Sequence, residues 1–397
     1  MLIAGGLGKG GAEKQLVYML RALRQMDVEL RVLTLTTGEF HERSLQSLGI
    51  HPVSLGSTKP AARVSRILQE ARAFRPHFIQ ATHFFASIYA GVAGRLSGVP
   101  SIGAIRGDLH HDLAGIGKGG RWLLRFPSVF LANSYNAQAN ALLLGLPPSR
   151  VYVLQNVIDL QDFDRRLAAY PPRLLNPGRI HAITVARLQP VKRLERFLHG
   201  LALARQQAPE LEGLIVGSGP EERRLREQAQ SLGLQPDQPN GGVHFLGERD
   251  DIPQLLSQSQ IFVLTSEREG FPNVLLEAMS ASLPIVTTPA GEASTLVQDG
   301  KNGFLSAFDD HEALAGRLLE LARSPALRGK MGRNGRQIAE ERFSYSSLAG
   351  NLVNIYRSIA RETKNQAALF AINNNGTRSQ GVNFVIKNHN IPSNESR

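Results

Sequence analysis

The chain contains no cysteine in its 397 residues, which excludes disulfide bonds, thiolate nucleophiles and cysteine metal ligands. It also contains no uninterrupted apolar run of the roughly 20 residues that are needed to cross a bilayer. No cationic segment followed by an apolar stretch opens the sequence, so we expect a cytoplasmic protein without a secretory leader. The first predicted strand is only the stub Met1–Ala4, from which we expect a truncated or misassigned start.

Acidic residues are in the minority, and the resulting net charge of +11 is unevenly spread. Residues 1–170 carry 19 Lys or Arg against 11 Asp or Glu, whereas the remaining residues carry 26 against 23. A basic first half favours a polyanionic partner such as an anionic lipid surface or a lipid-linked diphosphate. The alternative is a soluble protein that happens to be basic. No nucleic-acid-binding motif is present, so we expect no nucleic-acid partner.

Short β-rich runs alternate with amphipathic helices, which predicts parallel α/β architecture. A chain of 397 residues exceeds the size at which one core usually divides, so two domains are expected. The strands are predicted at Leu2–Ala4, Leu30–Leu35, Phe78–Ala81, Ser101–Ile105, Val129–Ala132 and Val151–Leu154, and then at Ile180–Val185, Leu214–Val216, Val243–Leu246, Ile261–Leu264 and Pro284–Thr287.

The stretches Tyr170–Arg173 and Asn176–Gly178 are rich in proline and separate the two series of strands. We therefore predict one doubly wound domain over residues 1–170 and another over 171–345. Ligands of such sheets bind beyond the carboxyl ends of the strands, which places the site in a cleft between the domains. We expect a helix at about 346–362 to pack back onto the first domain, and a polar tail over 365–397 to be disordered.

Two glutamates, Glu269 and Glu277, flank a turn that is predicted to open a helix. A helix N terminus presents free N–H groups and a partial positive charge, which suit a phosphate or a developing anion. A ligand with a diphosphate and a hydroxyl-rich group on each side fits this arrangement. The alternative is a buried loop–helix junction with two solvated glutamates. The turn consists of Gly270, Phe271, Pro272 and Asn273, and the predicted helix N terminus extends over Gly270–Val274.

A glycine-rich loop follows the first predicted strand. Gly6, Gly8 and Gly11 match the G-x-G-x-x-G pattern, which is typical of a nicotinamide-dependent dehydrogenase. That interpretation needs an acid at the end of the second strand, but Glu39 falls in the loop beyond it. The loop also offers bare backbone at Gly10 and Gly11, which only glycine provides for close approach to a ligand.

Two further loops of the second half carry binding candidates. Arg187 and Lys192 follow the strand Ile180–Val185, and two cations there can neutralise a diphosphate leaving group. A solvated basic loop is the alternative. Gly217 and Gly219 lie in a Gly-Ser-Gly-Pro-Glu turn that allows close backbone approach at the start of a helix.

These motifs and their order resemble the retaining glycosyltransferases of family 4 over about residues 4–360. The resemblance implies the GT-B fold, in which two Rossmann-like domains face a central cleft. It also implies transfer of a hexosyl or N-acetylhexosaminyl group from a nucleotide-diphosphate donor with retention at the anomeric carbon. No metal and no cofactor besides the donor are implied, and we expect a UDP-sugar rather than a GDP-sugar.

The resemblance also assigns roles to residues. It implies that Glu269 binds the hydroxyls of the donor sugar and that Glu277 binds the nucleotide ribose. Arg187, Lys192 and the helix N terminus at Gly270–Val274 would stabilise charge in place of a metal. The remaining implied contacts are Gly10 and Gly11 with the donor phosphate and sugar, Gly217 and Gly219 with the nucleotide, and Leu246 and Gly247 with the base.

The first half departs from the family at Arg106, which stands where many members have a histidine. An arginine cannot act as a base, so we expect Arg106 to contact the donor sugar or phosphate. Asp108, His110, His111 and His83 lie nearby in the predicted fold, either as polar lining or as an acid or base.

The segment from Lys118 to Phe126 mixes cations with apolar residues and the only tryptophan, Trp122. It is either an interfacial helix at a membrane or an ordinary helix whose Trp122 faces the core. We expect a glycan or a lipid-linked oligosaccharide as acceptor, in the synthesis of lipopolysaccharide, capsule or exopolysaccharide at the cytoplasmic face of the inner membrane. The alternatives are a sugar-nucleotide epimerase of the same fold and a binding protein that has lost turnover.

Overall fold

The structure is a computed structural model, and it describes residues 1–56, 59–117, 120–169, 175–176 and 178–376. Lys118, the predicted boundary segment Tyr170–Arg173 and the part of the predicted tail beyond residue 376 lie outside these residues. Two parallel β-sheets organise the described chain, and each defines one domain.

The sheet of the first domain has seven strands in the order β3-β2-β1-β4-β5-β6-β7. Six of them were predicted; β3 was missed because it has only two residues at the sheet edge, neither of them buried. The strands are β1 Leu2–Ala4, β2 Val32–Thr34, β3 Val53–Ser54, β4 Ile79–Ala81, β5 Ser101–Ile105, β6 Val129–Ala132 and β7 Val151–Val153.

The sheet of the second domain has six strands in the order β10-β9-β8-β11-β12-β13. In both sheets the first strand of the series pairs with strands on either side, so the winding direction reverses there. Such a reversal opens a crevice at the carboxyl ends of the strands. The strands are β8 Ile180–Val185, β9 Leu211–Val216, β10 Val243–Gly247, β11 Ile261–Leu264, β12 Ile285–Thr287 and β13 Gly303–Leu305.

Helices cover the faces of both sheets. In the first helix, Leu16, Met19, Leu20 and Leu23 recur at helical spacing and are all buried, which is why this segment folds as an amphipathic helix. The helices that follow the strands of the first sheet are α1 Gly11–Gln25, α2 Glu42–Ser47, α3 Pro60–Phe74, α4 Ser87–Ser97, α5 Leu109–Ile116, α6 Gly120–Leu123, α7 Tyr135–Leu143 and α8 Leu160–Ala168. The later helices are α9 Leu194–Arg205, α10 Glu222–Ser231, α11 Ile252–Gln258, α12 Asn273–Ser280, α13 Ala293–Leu296, α14 His311–Arg323, α15 Pro325–Arg342, α16 Leu348–Glu362 and α17 Gln366–Gly376.

The chain passes from the first domain to the second earlier than the predicted boundary at residue 170. Ile158, which precedes helix α8, and Phe163 within it already belong to the core of the second domain. The Ile158 N–H donates to the Phe343 carbonyl (2.8 Å), and the Tyr345 N–H donates to the Ile158 carbonyl (2.9 Å). The proline-rich composition marked a loop, whereas the apolar side chains of the preceding helix decide which core that helix joins.

The C-terminal helices return to the first domain. Leu348, Leu352 and Ile359 of helix α16 lie in the same core as helix α1. Residues 366–376, predicted to be disordered, form helix α17, in which Ala368 is buried and its N–H is capped by the Asn365 side chain (3.0 Å). Disorder was predicted from the average composition of the whole polar tail, which conceals the short apolar run of this helix. Within the described residues no helix combines the length and apolarity that a membrane span requires.

Truncation of Leu352 tests the return of helix α16 to the first domain. Leu352 is fully buried, so Leu352→Ala should lower the free energy of unfolding by about 2–5 kcal/mol through lost burial and a cavity. The control Leu143→Ala removes a side chain whose residue is 78% exposed and should change that free energy by less than about 0.5 kcal/mol. Urea denaturation followed by circular dichroism measures both, and equal stabilities would contradict the packing.

Candidate active site

The glycine loop after β1 and the start of helix α12 meet across the cleft. A Cβ atom at Gly11 would lie 2.4 Å from the Asn273 Nδ2 atom, and one at Gly270 would lie 2.2 Å from the Arg106 carbonyl oxygen. Both predicted glycines therefore lie where one domain touches the other, and Gly270, which faces backbone, leaves no room for a side chain. The Asn273 Oδ1 atom also accepts a hydrogen bond from the Asn156 side chain (2.8 Å), so helix α12 begins at the domain interface.

The structure brings Glu269 and Lys192 together. The Lys192 Nζ atom donates to Glu269 Oε1 at 2.6 Å, and the Ser266 hydroxyl donates to the same oxygen at 2.6 Å. Lys192 ends a 3₁₀ turn, Pro190–Lys192, after β8, and Glu269 lies in the loop after β11, the neighbouring strand. The carboxyl ends of these two adjacent strands thus bring Lys192 and Glu269 together as a half-buried ion pair directly in front of helix α12.

Glu277 has a partner that the sequence did not indicate. The Lys14 Nζ atom of helix α1 donates to Glu277 Oε1 at 2.7 Å, which forms an ion pair between the two domains. Burial pushes the pKa of Lys14 down, but the nearby Glu277 carboxylate outweighs it and the net pKa is raised. Lys14 lies three residues after Gly11 of the glycine-rich loop, yet nothing local couples it to a residue 263 positions away.

The glycines of the second domain hold two loops together. Gly217 has φ +129°, and a Cβ atom there would lie 2.0 Å from the Ala186 carbonyl oxygen. At Gly219 the corresponding distance to the Leu188 carbonyl oxygen is 2.3 Å. These turns therefore support the loop that presents Arg187, whose side chain is exposed. The Gly217 N–H also donates a hydrogen bond to the Gly247 carbonyl (2.8 Å), which links this turn to the end of β10.

The residues of the turn before helix α12 differ in their surroundings: some pack in the core of the second domain, and others lie at the domain interface. Phe271 is buried and its ring lies 5.8 Å from that of Phe343, so its side chain belongs to the core rather than to a ligand pocket. Val274 and Leu246 pack partly buried against the same core. Pro272 is the N-cap residue of helix α12. Glu277 follows about one turn inside the helix.

The first-domain candidates have distinct environments. Burial lowers the pKa of Arg106 to about 10, so its guanidinium remains charged at neutral pH, and its Nε atom has no hydrogen-bond partner among the described residues. Asp108 caps helix α5 by accepting from the His110 and His111 N–H groups (3.0 and 3.4 Å). His111 Nδ1 lies 2.9 Å from Arg268 of the second domain. Asp108 is thus accounted for by helix capping.

Glu292, to which the sequence analysis assigned no role, joins the domains at a second point. It is 0% exposed, and its carboxylate accepts from the Asn136 N–H (3.1 Å) and from the Gln155 side chain (3.4 Å). Asn136 lies in the first turn of helix α7, where free N–H groups and the helix dipole stabilise a negative charge. The contact depends on domain packing, so no local pattern around Glu292 indicates it.

A double-mutant cycle tests the ion pair between Lys14 and Glu277. Combining Lys14→Ala with Glu277→Gln should show a stabilising coupling on the order of 1 kcal/mol in the free energy of unfolding, because the pair is partly shielded from water. The exposed pair Arg223 and Glu227 within helix α10 is the control and should couple by less than about 0.5 kcal/mol. Zero coupling between Lys14 and Glu277 would contradict an ion pair across the cleft.

Comparison with curated proteins finds relatives that align over part of their length. The chain is 28% identical over 183 residues to N-acetyl-alpha-D-glucosaminyl L-malate synthase from Bacillus anthracis, covering 46% of each chain. It is 27% identical over 182 residues to the lipopolysaccharide core biosynthesis glycosyltransferase LpsE from Rhizobium meliloti, covering 43% of this chain and 52% of that protein. The chain thus spans about half the length of these relatives.

The fold is also found among solved structures. The crystal structure of Anabaena Alr3699/HepE in complex with UDP-glucose matches with a TM-score of 0.79 and 24% sequence identity, covering 90% of this chain and 99% of that one. This likeness shows the fold, and the predicted GT-B architecture of two Rossmann-like domains is confirmed.

Two family models match successive parts of the chain. The model of glycosyltransferase family 4 matches residues 9–162, and that of glycosyl transferases group 1 matches residues 171–338. The matches extend over most of both sheets and include Gly10 and Gly11 of the glycine loop and the paired glutamates. The chain belongs to glycosyltransferase family 4.

Proposed function

We propose that the protein is a retaining glycosyltransferase that moves a sugar from a nucleotide-diphosphate donor to a glycan or lipid-linked acceptor. The observation that carries the proposal is the pairing of Lys192 with Glu269 in front of helix α12. It places a cation, a carboxylate and a helix N terminus at one point, which are the groups that a sugar diphosphate requires. The exposed Arg187 comes from the same loop as Lys192 and adds a second cation.

In this proposal, each polar group has a separate task. Arg187, Lys192 and the N–H groups at the start of helix α12 stabilise the negative charge that develops on the leaving diphosphate, so no metal ion is required. Glu269 binds hydroxyls of the donor sugar, and Glu277 binds the ribose. Both carboxylates already accept a hydrogen bond from a lysine. When the donor binds, hydrogen bonds between protein side chains are therefore replaced by hydrogen bonds to the ligand. The UDP-glucose in the HepE structure favours a UDP-sugar over a GDP-sugar.

A thermal-shift screen with UDP, GDP, ADP and their sugar conjugates in EDTA tests the donor site. We expect UDP to raise the melting temperature, because a ligand at 100 times its Kd stabilises the fold by about 2.7 kcal/mol. Lys192→Ala and Glu277→Ala should each weaken UDP binding by about tenfold, since each removes a charged hydrogen-bonding group. The control Lys330→Ala removes an exposed cation of helix α15 and should leave the affinity unchanged.

The outcomes also separate the alternatives. Unaltered UDP affinity in both site variants would contradict the pocket assignment, and a shift that disappears in EDTA would contradict metal independence. An epimerase would convert the donor sugar without any acceptor, whereas a binding protein would bind UDP-sugar and release no UDP on incubation with acceptors.

We further propose an acceptor in surface polysaccharide synthesis, presented at the cytoplasmic face of a membrane. The relationship to the lipopolysaccharide enzyme LpsE supports the substrate class. Support for the location comes from Trp122, which is 58% exposed, so the alternative of a core-facing Trp122 is wrong. The helix described in this segment is short, and the exposed apolar and basic residues around it form a membrane patch: Leu96, Ile116, Trp122, Arg95, Arg121 and Arg125.

Vesicle sedimentation tests the membrane patch. Vesicles of phosphatidylcholine with phosphatidylglycerol should sediment the protein, and the bound fraction should fall with added salt because exposed charges are screened. Arg121→Glu with Arg125→Glu should abolish most of this binding, whereas the matched control Lys330→Glu with Arg333→Glu reverses two exposed charges of helix α15 without effect. Equal sedimentation of both double variants would contradict the patch.

A further inference from the structure

A polar cluster at the carboxyl end of β4 remains outside the donor assignment. The His83 Nε2 atom lies 3.1 Å from the Glu13 Oε1 atom, and both side chains are mostly buried. The His83 Nδ1 atom accepts a hydrogen bond from the Gly5 N–H (3.2 Å). A neutral imidazole that accepts at Nδ1 carries its proton at Nε2. His83 therefore donates to Glu13 and holds that carboxylate in one orientation.

Glu13 remains a carboxylate at neutral pH. Burial raises the pKa of Glu13, but the hydrogen bond from His83 and other favourable interactions outweigh it, so the net pKa is below its ordinary value. The second oxygen of the carboxylate lies over the glycine loop, since a Cβ atom at Gly10 would be 2.0 Å from Glu13 Oε2. Because Gly10 has no side chain, there is room at the cleft for the Glu13 Oε2 atom, which can accept hydrogen bonds.

An exposed aromatic ring adjoins the pair. Phe85 is 55% exposed, and its ring stacks on the His83 imidazole with 5.4 Å between centroids and 26° between planes. A Cβ atom at Gly5 would lie 2.1 Å from the Cζ atom of Phe85, so the glycine loop contacts the edge of the ring. An apolar face next to oriented polar groups is the usual composition of a small-molecule site.

The cluster lies beside the donor site but faces another element. Lys14 reaches across the cleft to Glu277, whereas its neighbour Glu13 turns to His83 within the first domain. Arg106, whose carbonyl oxygen is in contact range of Gly270, contributes a positive charge that acts on Glu13. Glu13 therefore adjoins, along helix α1, the lysine whose partner Glu277 is proposed to bind the ribose.

We propose that Glu13, His83 and Phe85 form the subsite for the acceptor, and that the subsite takes a pyranose ring. This assignment rests on the proposed function. The apolar C–H face of the pyranose packs on Phe85, and one of its hydroxyls donates a hydrogen bond to the Glu13 carboxylate. His83 is a positioning residue, because it orients Glu13. The subsite selects for a hydroxyl-bearing sugar, since an acceptor without that hydroxyl forgoes the hydrogen bond to the Glu13 carboxylate.

Saturation-transfer difference NMR with methyl glycosides tests the subsite on the full chain loaded with UDP. The probes are the methyl α- and β-pyranosides of glucose, galactose and N-acetylglucosamine at millimolar concentration. At least one should bind, with the strongest transfer to ring protons. Phe85→Ala and Glu13→Gln should each weaken that binding about tenfold or more, while UDP affinity stays within about twofold. Phe85→Tyr keeps the ring and should retain glycoside binding.

Phe308→Ala is the matched control, because it removes another partly exposed phenylalanine, in the second domain, and should change neither affinity. The subsite is wrong if no glycoside binds to the UDP-loaded protein, or if both cluster variants bind glycosides like the wild type. Glycoside binding that depends on Phe85 in a protein that fails to bind UDP would uphold the subsite and contradict the donor site. If the wild-type protein binds neither UDP nor any glycoside, both the donor site and the acceptor subsite are wrong.

Discussion

The close approach of the two domains at two glycines is the constraint on which the site depends. Gly11 lies against the Asn273 side chain, and Gly270 admits the Arg106 carbonyl, so a side chain at Gly270 would separate the carboxyl ends of the sheets. The polar contacts between domains follow from this approach: Lys14 with Glu277, Asn156 with Asn273, and Glu292 with the start of helix α7. Without it, the donor-binding groups would lie on two unrelated surfaces.

The electrostatics of the cleft follow from the same geometry. Each of the two motif glutamates faces a lysine, so neither carboxylate meets a diphosphate as an uncompensated negative charge. Arg187 and the start of helix α12 supply further positive potential, which makes the cleft receptive to an anion. One lysine comes from each domain, and the charge balance of the site therefore depends on the domains being together. This links the fold, the ion pairs and donor binding in a single arrangement.

Much of the architecture follows from local pattern. Apolar runs at the right length predicted eleven of the thirteen strands, and the two that were missed have only two and three residues. The predicted boundary near residue 170 and the disorder of residues 366–376 differ from the structure, because composition does not say which core Phe163 or Ala368 can join. At the site, Glu269, Lys192 and Glu277 were predicted, whereas Lys14 and Glu292 were not.

The sequence by itself determined the alternation of strands and helices, the order of the motifs and the chemical types of the donor-binding residues, since each of these depends on neighbours along the chain. Tertiary structure alone decided the partners: Lys192 for Glu269, Lys14 for Glu277, and His83 for Glu13. It also showed that Phe271 packs in the core and that Trp122 is exposed. The physical reason is that ion pairs and burial depend on distances between residues far apart in sequence, which parallel sheets and domain contact bring together.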